Sequence, residues 1–127
     1  MALDPHQAVM LIPSLEPDDR LPAYVEALLA RGFAHVVIVD DGSSEKYQPI
    51  FSRMAEMAGC TVLHHEVNRG KGAALKTGMR HIRDHMPDVE HFITCDADGQ
   101  HRVEDVVRVS RQLAAGHKFV LTMRNRR

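Results

Sequence analysis

Five short apolar runs alternate with amphipathic segments along this 127-residue chain, and the alternation restricts the fold more than any other feature. The run at residues 8–13 is uninterrupted, which is typical of a strand buried on both faces of a sheet. Strands alternating with helices form βαβ units, so the sequence predicts an α/β fold: a three-layer α/β/α arrangement with a mostly parallel sheet. The other strands are predicted at residues 35–39, 61–63, 91–95 and 118–123.

Apolar residues at helical spacing predict four helices, at residues 21–29, 47–57, 75–86 and 103–113. Ser43 or Ser44 can cap the second of these helices. The loop before the third helix is expected to run from His65 to Gly72. Neither a linker nor an internal repeat is visible, so residues 1–127 are interpreted as one domain.

Composition excludes several classes of protein. The formal net charge is −1, which gives no reason to expect a nucleic-acid partner. No apolar stretch approaches the roughly 18 residues of a membrane span, and the first residues do not resemble a signal peptide. Cys60 and Cys95 are expected to be reduced core residues. A cytoplasmic location is therefore expected, or the cytoplasmic face of a membrane in a longer protein.

Polar clusters follow the first, second and fourth predicted strands, where open parallel sheets bind their ligands. The cluster after the second strand is Asp40-Asp41-Gly42-Ser43. Asp and Ser suit the start of a helix, since they accept hydrogen bonds from its free N–H groups. Alternatively, one Asp accepts a hydrogen bond from a nucleobase or a ribose hydroxyl. The sequence leaves both interpretations open.

The second cluster, Asp96-Ala97-Asp98-Gly99-Gln100, follows the fourth strand. Two carboxylates separated by one residue in an extended segment can face the same hard cation. Mg²⁺ or Mn²⁺ favours such oxygen ligands and commonly shares them with substrate phosphates. The pattern favours a metal-assisted phosphate site, although Asp and Gly would also suit a turn and a helix cap.

Residues 68–74, Asn-Arg-Gly-Lys-Gly-Ala-Ala, follow the third strand. Glycines before a helix allow backbone N–H groups to approach an anion, and Lys71 adds positive charge; the alternative is a solvated loop. The spacing fits neither the dinucleotide-binding pattern nor the P-loop pattern. After the first strand, Glu16 is either a surface acid or a ligand contact.

Taken together, these segments resemble family 2 glycosyltransferases, which have the GT-A fold. The segments that carry the resemblance are residues 12–16, 39–43, 68–74 and 96–101. Asp96-Ala97-Asp98 followed by Gln100-His101 is especially similar to the branch of dolichol-phosphate mannosyltransferases and polyprenyl-phosphate sugar transferases.

The resemblance implies a role for each matching residue. Pro13, Glu16 and Asp41 would line a nucleoside pocket, with Asp41 contacting the base and Asp40 supporting that turn. Lys71 would lie near the diphosphate, together with the backbone of its flanking glycines. Asp96 would approach the ribose or the donor sugar, and Asp98 with Gln100 would bind Mg²⁺ or Mn²⁺.

The resemblance also implies a reaction, in which a sugar passes with inversion from a UDP- or GDP-linked donor to a polyprenyl phosphate or a saccharide. The family's catalytic base is a carboxylate in the acceptor half, so it is expected beyond Arg127. Residues 1–127 are thus interpreted as the N-terminal, donor-binding portion of a truncated GT-A domain. The exposed sheet edge that this would leave could drive self-association.

Two alternatives remain open. A non-catalytic module that binds a nucleotide sugar would carry the same segments. A nucleotidyltransferase would need a glycine-rich basic loop after the first strand, which residues 13–16 do not supply.

Overall fold

A computed structural model describes residues 8–33, 35–86, 91–95 and 121–123 of the protein. Its five strands form one sheet in the order β3-β2-β1-β4-β5, and every pair of neighbours is parallel. The predicted α/β fold with a parallel sheet is confirmed. The strands are β1 (Ala8–Ser14), β2 (His35–Asp40), β3 (Cys60–His64), β4 (His91–Cys95) and β5 (Leu121–Met123).

Helices cover both faces of this sheet, which gives the three predicted layers. They are α1 (Arg20–Ala30), α2 (Gln48–Ala55) and α3 (Lys71–His85), and a short 3₁₀ turn, Glu45–Tyr47, leads into α2. Buried residues of α1 and α2 pack against one face of the sheet, and those of α3 pack against the other. The helix predicted at residues 103–113 lies outside the described residues.

The central strand explains why the first apolar run is uninterrupted. Met10 and Ile12 belong to the cluster shared with α1 and α2, whereas Val9 and Leu11 belong to the cluster shared with α3. Successive side chains of a strand point to opposite faces. Because helices cover both faces, every one of these four positions is fully buried and must be apolar.

Two local predictions were wrong. Helix α3 begins at Lys71, before the end of the predicted loop, because the Ala74 N–H already donates to the Gly70 carbonyl at 3.0 Å. Neither Ser43 nor Ser44 caps α2 through its side chain; the Ser43 hydroxyl accepts the Glu16 N–H instead, at 2.8 Å. Lys71 therefore belongs to the first turn of a helix.

Two further expectations concern cysteine and membrane insertion. Cys60 is a free thiol, and burial raises its pKa to about 11. The side chain of Cys95 lies outside the described residues. None of the helices that the structure describes combines the length and the apolar character that crossing a bilayer requires.

Candidate functional site

A cavity of about 340 Å³ opens at the carboxyl ends of β1 and β2. The register of the sheet pairs Ser14 with Asp40, and the Asp41 N–H donates to the Ser14 carbonyl at 2.9 Å. The ends of the two strands are therefore fixed side by side. The cavity is lined by Pro13, Ser14, Leu15, Asp41, Asn68, Gly70 and Lys71.

The carboxylate of Asp41 holds the loop that precedes α3. One oxygen, Oδ1, accepts the Arg69 N–H at 2.9 Å, and the other, Oδ2, accepts the Gly70 N–H at 2.9 Å. The side chain of His65 adds a third hydrogen bond, from Nδ1 to Oδ1 at 2.8 Å. We call this arrangement the Asp41 clamp, since it fixes residues 69–70 directly before Lys71.

The Asp41 clamp keeps its carboxylate ionised in spite of burial. Burial alone would raise the pKa of Asp41, because a buried charge loses its hydration. The hydrogen bonds from the Arg69 backbone, His65 and the Gly70 backbone outweigh this effect and lower the pKa below its ordinary value. Asp41 is therefore a negative charge held in place by N–H donors of the loop that precedes α3.

His65 is a component of the site that the sequence did not reveal. Its side chain is buried, and its Nε2 lies 2.7 Å from the hydroxyl of Thr77 in α3. Since the Asp41 carboxylate can only accept, Nδ1 donates to it, and Nε2 shares the second hydrogen bond with the Thr77 hydroxyl. His65 thus connects the end of β2 to α3. The adjacent pair His64-His65 was visible in the sequence, but nothing indicated its partners.

Asp40 does not line the cavity and supports the turn after β2. Its carboxylate accepts the Ser43 N–H at 2.8 Å and the Gln48 side-chain amide at 3.1 Å, and it lies 2.8 Å from Nδ1 of His64. Burial would raise the pKa of Asp40, but these hydrogen bonds lower it. The Ser43 contact resembles a helix-start interaction, yet α2 begins only at Gln48.

Gly42 brings this turn against the loop before α3. Its φ is +82°, a backbone conformation in which any residue with a side chain is strained. A Cβ at this position would also overlap the backbones of Val67 and Asn68. Only glycine therefore permits the approach that lets Asp41 reach residues 69 and 70.

Glu16 lies at an unusual backbone position beside the cavity. It is exposed and has φ +51°, which is uncommon for a residue other than glycine. Its N–H is held by the Ser43 hydroxyl. Of the residues predicted for the nucleoside and diphosphate, the cavity thus brings together Pro13, Asp41 and Lys71; Glu16 and Asp40 do not line it.

The predicted metal ligands Asp98 and Gln100, and also Asp96, lie outside the described residues. Within the described ranges, no group of three or more His, Cys, Asp or Glu side chains could hold a metal ion. β4, which precedes Asp96 in the chain, runs parallel to β1, so its carboxyl end lies at the same edge of the sheet as Ser14.

A sequence description of glycosyl transferase family 2 matches residues 10–127. The chain belongs to this family. The resemblance carried by the four short segments is therefore confirmed, and transfer of a glycosyl group is the function at the level of the family.

Relatives of this glycosyl transferase family 2 chain include proteins whose names contain undecaprenyl phosphate or dolichyl phosphate. The chain is 34% identical over 101 residues to an undecaprenyl-phosphate 4-deoxy-4-formamido-L-arabinose transferase of Pseudomonas paraeruginosa, covering 78% of this chain and 28% of that protein. It is 30% identical over 107 residues to a dolichyl-phosphate beta-glucosyltransferase of Trichomonas vaginalis, covering 76% and 32%. An uncharacterized protein of Methanocaldococcus jannaschii is 35% identical over 100 residues, covering 79% and 39%.

The chain thus spans between 28% and 39% of the length of these three relatives. No solved structure matches it significantly.

Proposed function

We propose that this chain forms the donor-binding part of a glycosyltransferase that uses a nucleoside diphosphate sugar and a polyprenyl phosphate acceptor. The observation that carries the proposal is the cavity at the ends of β1 and β2, with Lys71 and the carboxylate of the Asp41 clamp in its wall. The acceptor class is proposed from the names of the relatives. Such an acceptor is a membrane lipid, so the whole enzyme would act at a membrane surface, on its cytoplasmic face.

The wall of the cavity has two chemically different contributions. Pro13, near the end of β1, and Leu15, directly after it, are apolar and suit the face of a heterocycle. Gly70 and Lys71 stand at the N-terminus of α3, where N–H groups and a cation favour an anion. This combination matches a nucleoside diphosphate, which joins a heterocycle to an anionic diphosphate.

The protein's own residues would perform binding and orientation. Lys71 would neutralise charge on the diphosphate. The Asp41 clamp would hold Lys71 in position by fixing residues 69 and 70. Asp98 and Gln100 would hold Mg²⁺ or Mn²⁺, which when bound stabilises the charge of the leaving nucleoside diphosphate. Asp96 would contact the ribose or the sugar. We propose inversion at the transferred sugar carbon, with the base supplied by a carboxylate of the acceptor half.

Calorimetry tests this proposal directly. UDP, GDP, a UDP-sugar and GDP-mannose are each titrated into the protein, with and without Mn²⁺. The expected result is metal-dependent binding of one nucleoside diphosphate and its sugars. Failure to bind any of the four ligands, with or without metal, would contradict the proposal.

Two variants identify the residues responsible. Lys71→Ala should weaken binding of the nucleoside diphosphate, whereas Lys76→Ala, an exposed lysine of the same helix, should leave it unchanged. Equal affinity of both variants would show that α3 does not receive the diphosphate. Asp98→Ala should remove the metal dependence, and an unchanged response to Mn²⁺ would refute its role as a ligand.

A further inference from the structure

Helix α3 turns a row of mostly basic side chains away from the sheet. Its buried residues recur at every fourth position and pack on the sheet. Lys76, Met79, Arg80 and Arg83 have the spacing of neighbours along one side of a helix, and all four are exposed. We call this row the α3 ridge. At the helical rise per residue, it is about 10 Å long.

The α3 ridge belongs to a basic segment in a chain whose formal net charge is −1. Residues 69–85 contain five Lys or Arg residues and one acidic residue, Asp84, whereas the whole chain has 16 basic and 17 acidic residues. Asp84 pairs with Arg83 at 2.9 Å, but both side chains are largely exposed. Exposed pairs of this kind contribute little, so another anion can take the place of Asp84. The α3 ridge is therefore a local positive surface that the bulk charge does not reveal.

An exposed methionine stands within these cations. Met79 is 38% exposed, and it lies between Lys76 and Arg80 along the α3 ridge. A bilayer surface has anionic headgroups for the cations and, just beneath them, an apolar phase for the methionine. A nucleic acid backbone or an acidic peptide has charge of the same sign but no such phase. The combination therefore favours a lipid surface.

We propose that the α3 ridge docks the protein on a membrane surface that carries anionic phospholipids. The inference rests on the proposed function, because a polyprenyl phosphate acceptor lies in a membrane. Helix α3 begins at Lys71 in the wall of the cavity, and Lys76 follows about 8 Å further along the helix axis. A membrane against the α3 ridge would thus lie beside the cavity, within reach of a donor bound there.

Vesicle flotation with the full chain tests the docking surface. We expect binding to vesicles of phosphatidylcholine that contain about one third phosphatidylglycerol, little binding to phosphatidylcholine alone, and weaker binding at high salt. Each Lys or Arg near an anionic membrane strengthens binding about fivefold. A triple variant, Lys76→Gln with Arg80→Gln and Arg83→Gln, should therefore bind the anionic vesicles about 25- to 100-fold more weakly.

A second triple variant controls for the change in net charge. Arg31→Gln, Lys46→Gln and Arg53→Gln remove three exposed cations from the part of the chain that forms the other helical layer. This variant should retain most of the affinity for anionic vesicles. An equal loss in both triple variants would show that net charge, and not the α3 ridge, determines binding, and would overturn the inference.

Met79→Ser separates a membrane from other anionic partners. Loss of the apolar side chain should weaken binding to the anionic vesicles by about 3-fold, because part of a methionine no longer enters the apolar phase. Binding to heparin, a polyanion without an apolar phase, should not change. If Met79→Ser alters neither interaction, or alters both equally, the α3 ridge is a surface for polyanions and the membrane assignment is wrong.

The remaining outcomes separate the docking surface from the donor site. The α3 ridge does not line the cavity, so the first triple variant should bind nucleoside diphosphates in solution as the wild type does. A loss there would assign the α3 ridge to the donor site and refute docking. Failure of the wild type to bind anionic vesicles also refutes docking, whatever nucleotides it binds. Failure to bind any nucleoside diphosphate refutes the proposed function instead, and vesicle binding lost in the first triple variant would still identify the α3 ridge as the membrane surface.

Discussion

Replacing Asp41 with Asn tests whether the Asp41 clamp stabilises the fold as the structure indicates. Asn has nearly the same shape, so the change removes the charge and replaces one acceptor oxygen with an NH₂ group. That group would face an N–H donor of Arg69, Gly70 or the His65 ring, depending on its orientation. At least one of the three hydrogen bonds is therefore lost, and the others lose their charge.

The expected magnitude follows from the number and type of these bonds. A hydrogen bond to a charged group contributes about 1.5–3 kcal/mol, so the two backbone N–H bonds contribute at most about 3–6 kcal/mol. Arg69 is exposed and Gly70 is half-buried, so water can satisfy these N–H groups when the loop opens, which offsets part of the loss in stability. We therefore expect Asp41→Asn to lower the free energy of unfolding by about 2–3 kcal/mol at pH 7.

Urea denaturation followed by circular dichroism measures this difference, since the chain contains no tryptophan. The pKa of Asp41 in the folded protein lies below the ordinary aspartate value of 3.8. A group with a depressed folded pKa stabilises the fold above its unfolded pKa, and this contribution is lost as the pH falls through the folded pKa. The gap between wild type and variant should thus be constant above about pH 5 and narrow below pH 3.8.

Asp19→Asn is the control for this experiment. Asp19 is exposed and pairs with exposed Arg53 at 3.3 Å, so its replacement should change stability by less than about 0.5 kcal/mol. If Asp41→Asn is as mild as Asp19→Asn, or if its effect does not diminish at low pH, the Asp41 clamp does not stabilise the folded state as an ionised group.

Three further predictions concern glycine and cysteine. Gly42→Ala should lower stability by more than about 2 kcal/mol in the same denaturation assay, because it combines a positive φ with a backbone overlap; wild-type stability would contradict this. Gly78→Ala should lower stability by about 1 kcal/mol, since its Cβ would overlap the side chain of buried Leu11. Gly72→Ala should raise stability by about 0.4–1 kcal/mol, because no atom lies near its added Cβ. If Gly78→Ala is the more stable of the two variants, the packing of α3 is refuted. Cys60, with a pKa of about 11, should react with iodoacetamide at pH 8 much more slowly than glutathione does, and equal rates would contradict its burial.

The strands and helices were largely predictable because each depends on a local pattern. The continuous apolar run at residues 8–13 predicts a strand buried on both faces, and β1 has helices on both faces. The start of α3 was not predictable in the same way. Lys71 and Gly72 carry no apolar signal, and it is the conformation of Gly70, with φ +98°, that sets the boundary.

The site was predictable as a set of segments but not as a set of contacts. Asp41 was identified because an acidic pair follows β2. Its partners lie 28 and 29 residues further along the chain and are backbone N–H groups, which every residue except proline possesses. No residue type signals such a contact. The role of His65 could not be predicted for a similar reason, since its two partners, Asp41 and Thr77, come together only when α3 packs on the sheet.

The bond between the Glu16 N–H and the Ser43 hydroxyl has a consequence for the entropy of binding. It ties the loop after β1 to the loop after β2, while the Asp41 clamp ties the latter to the loop before α3. Three separate loops are therefore ordered by folding, before any ligand arrives. A ligand that enters this cavity has little chain to immobilise, so more of its contact energy appears as affinity. Removing the Ser43 hydroxyl should therefore weaken binding, although Ser43 does not line the cavity.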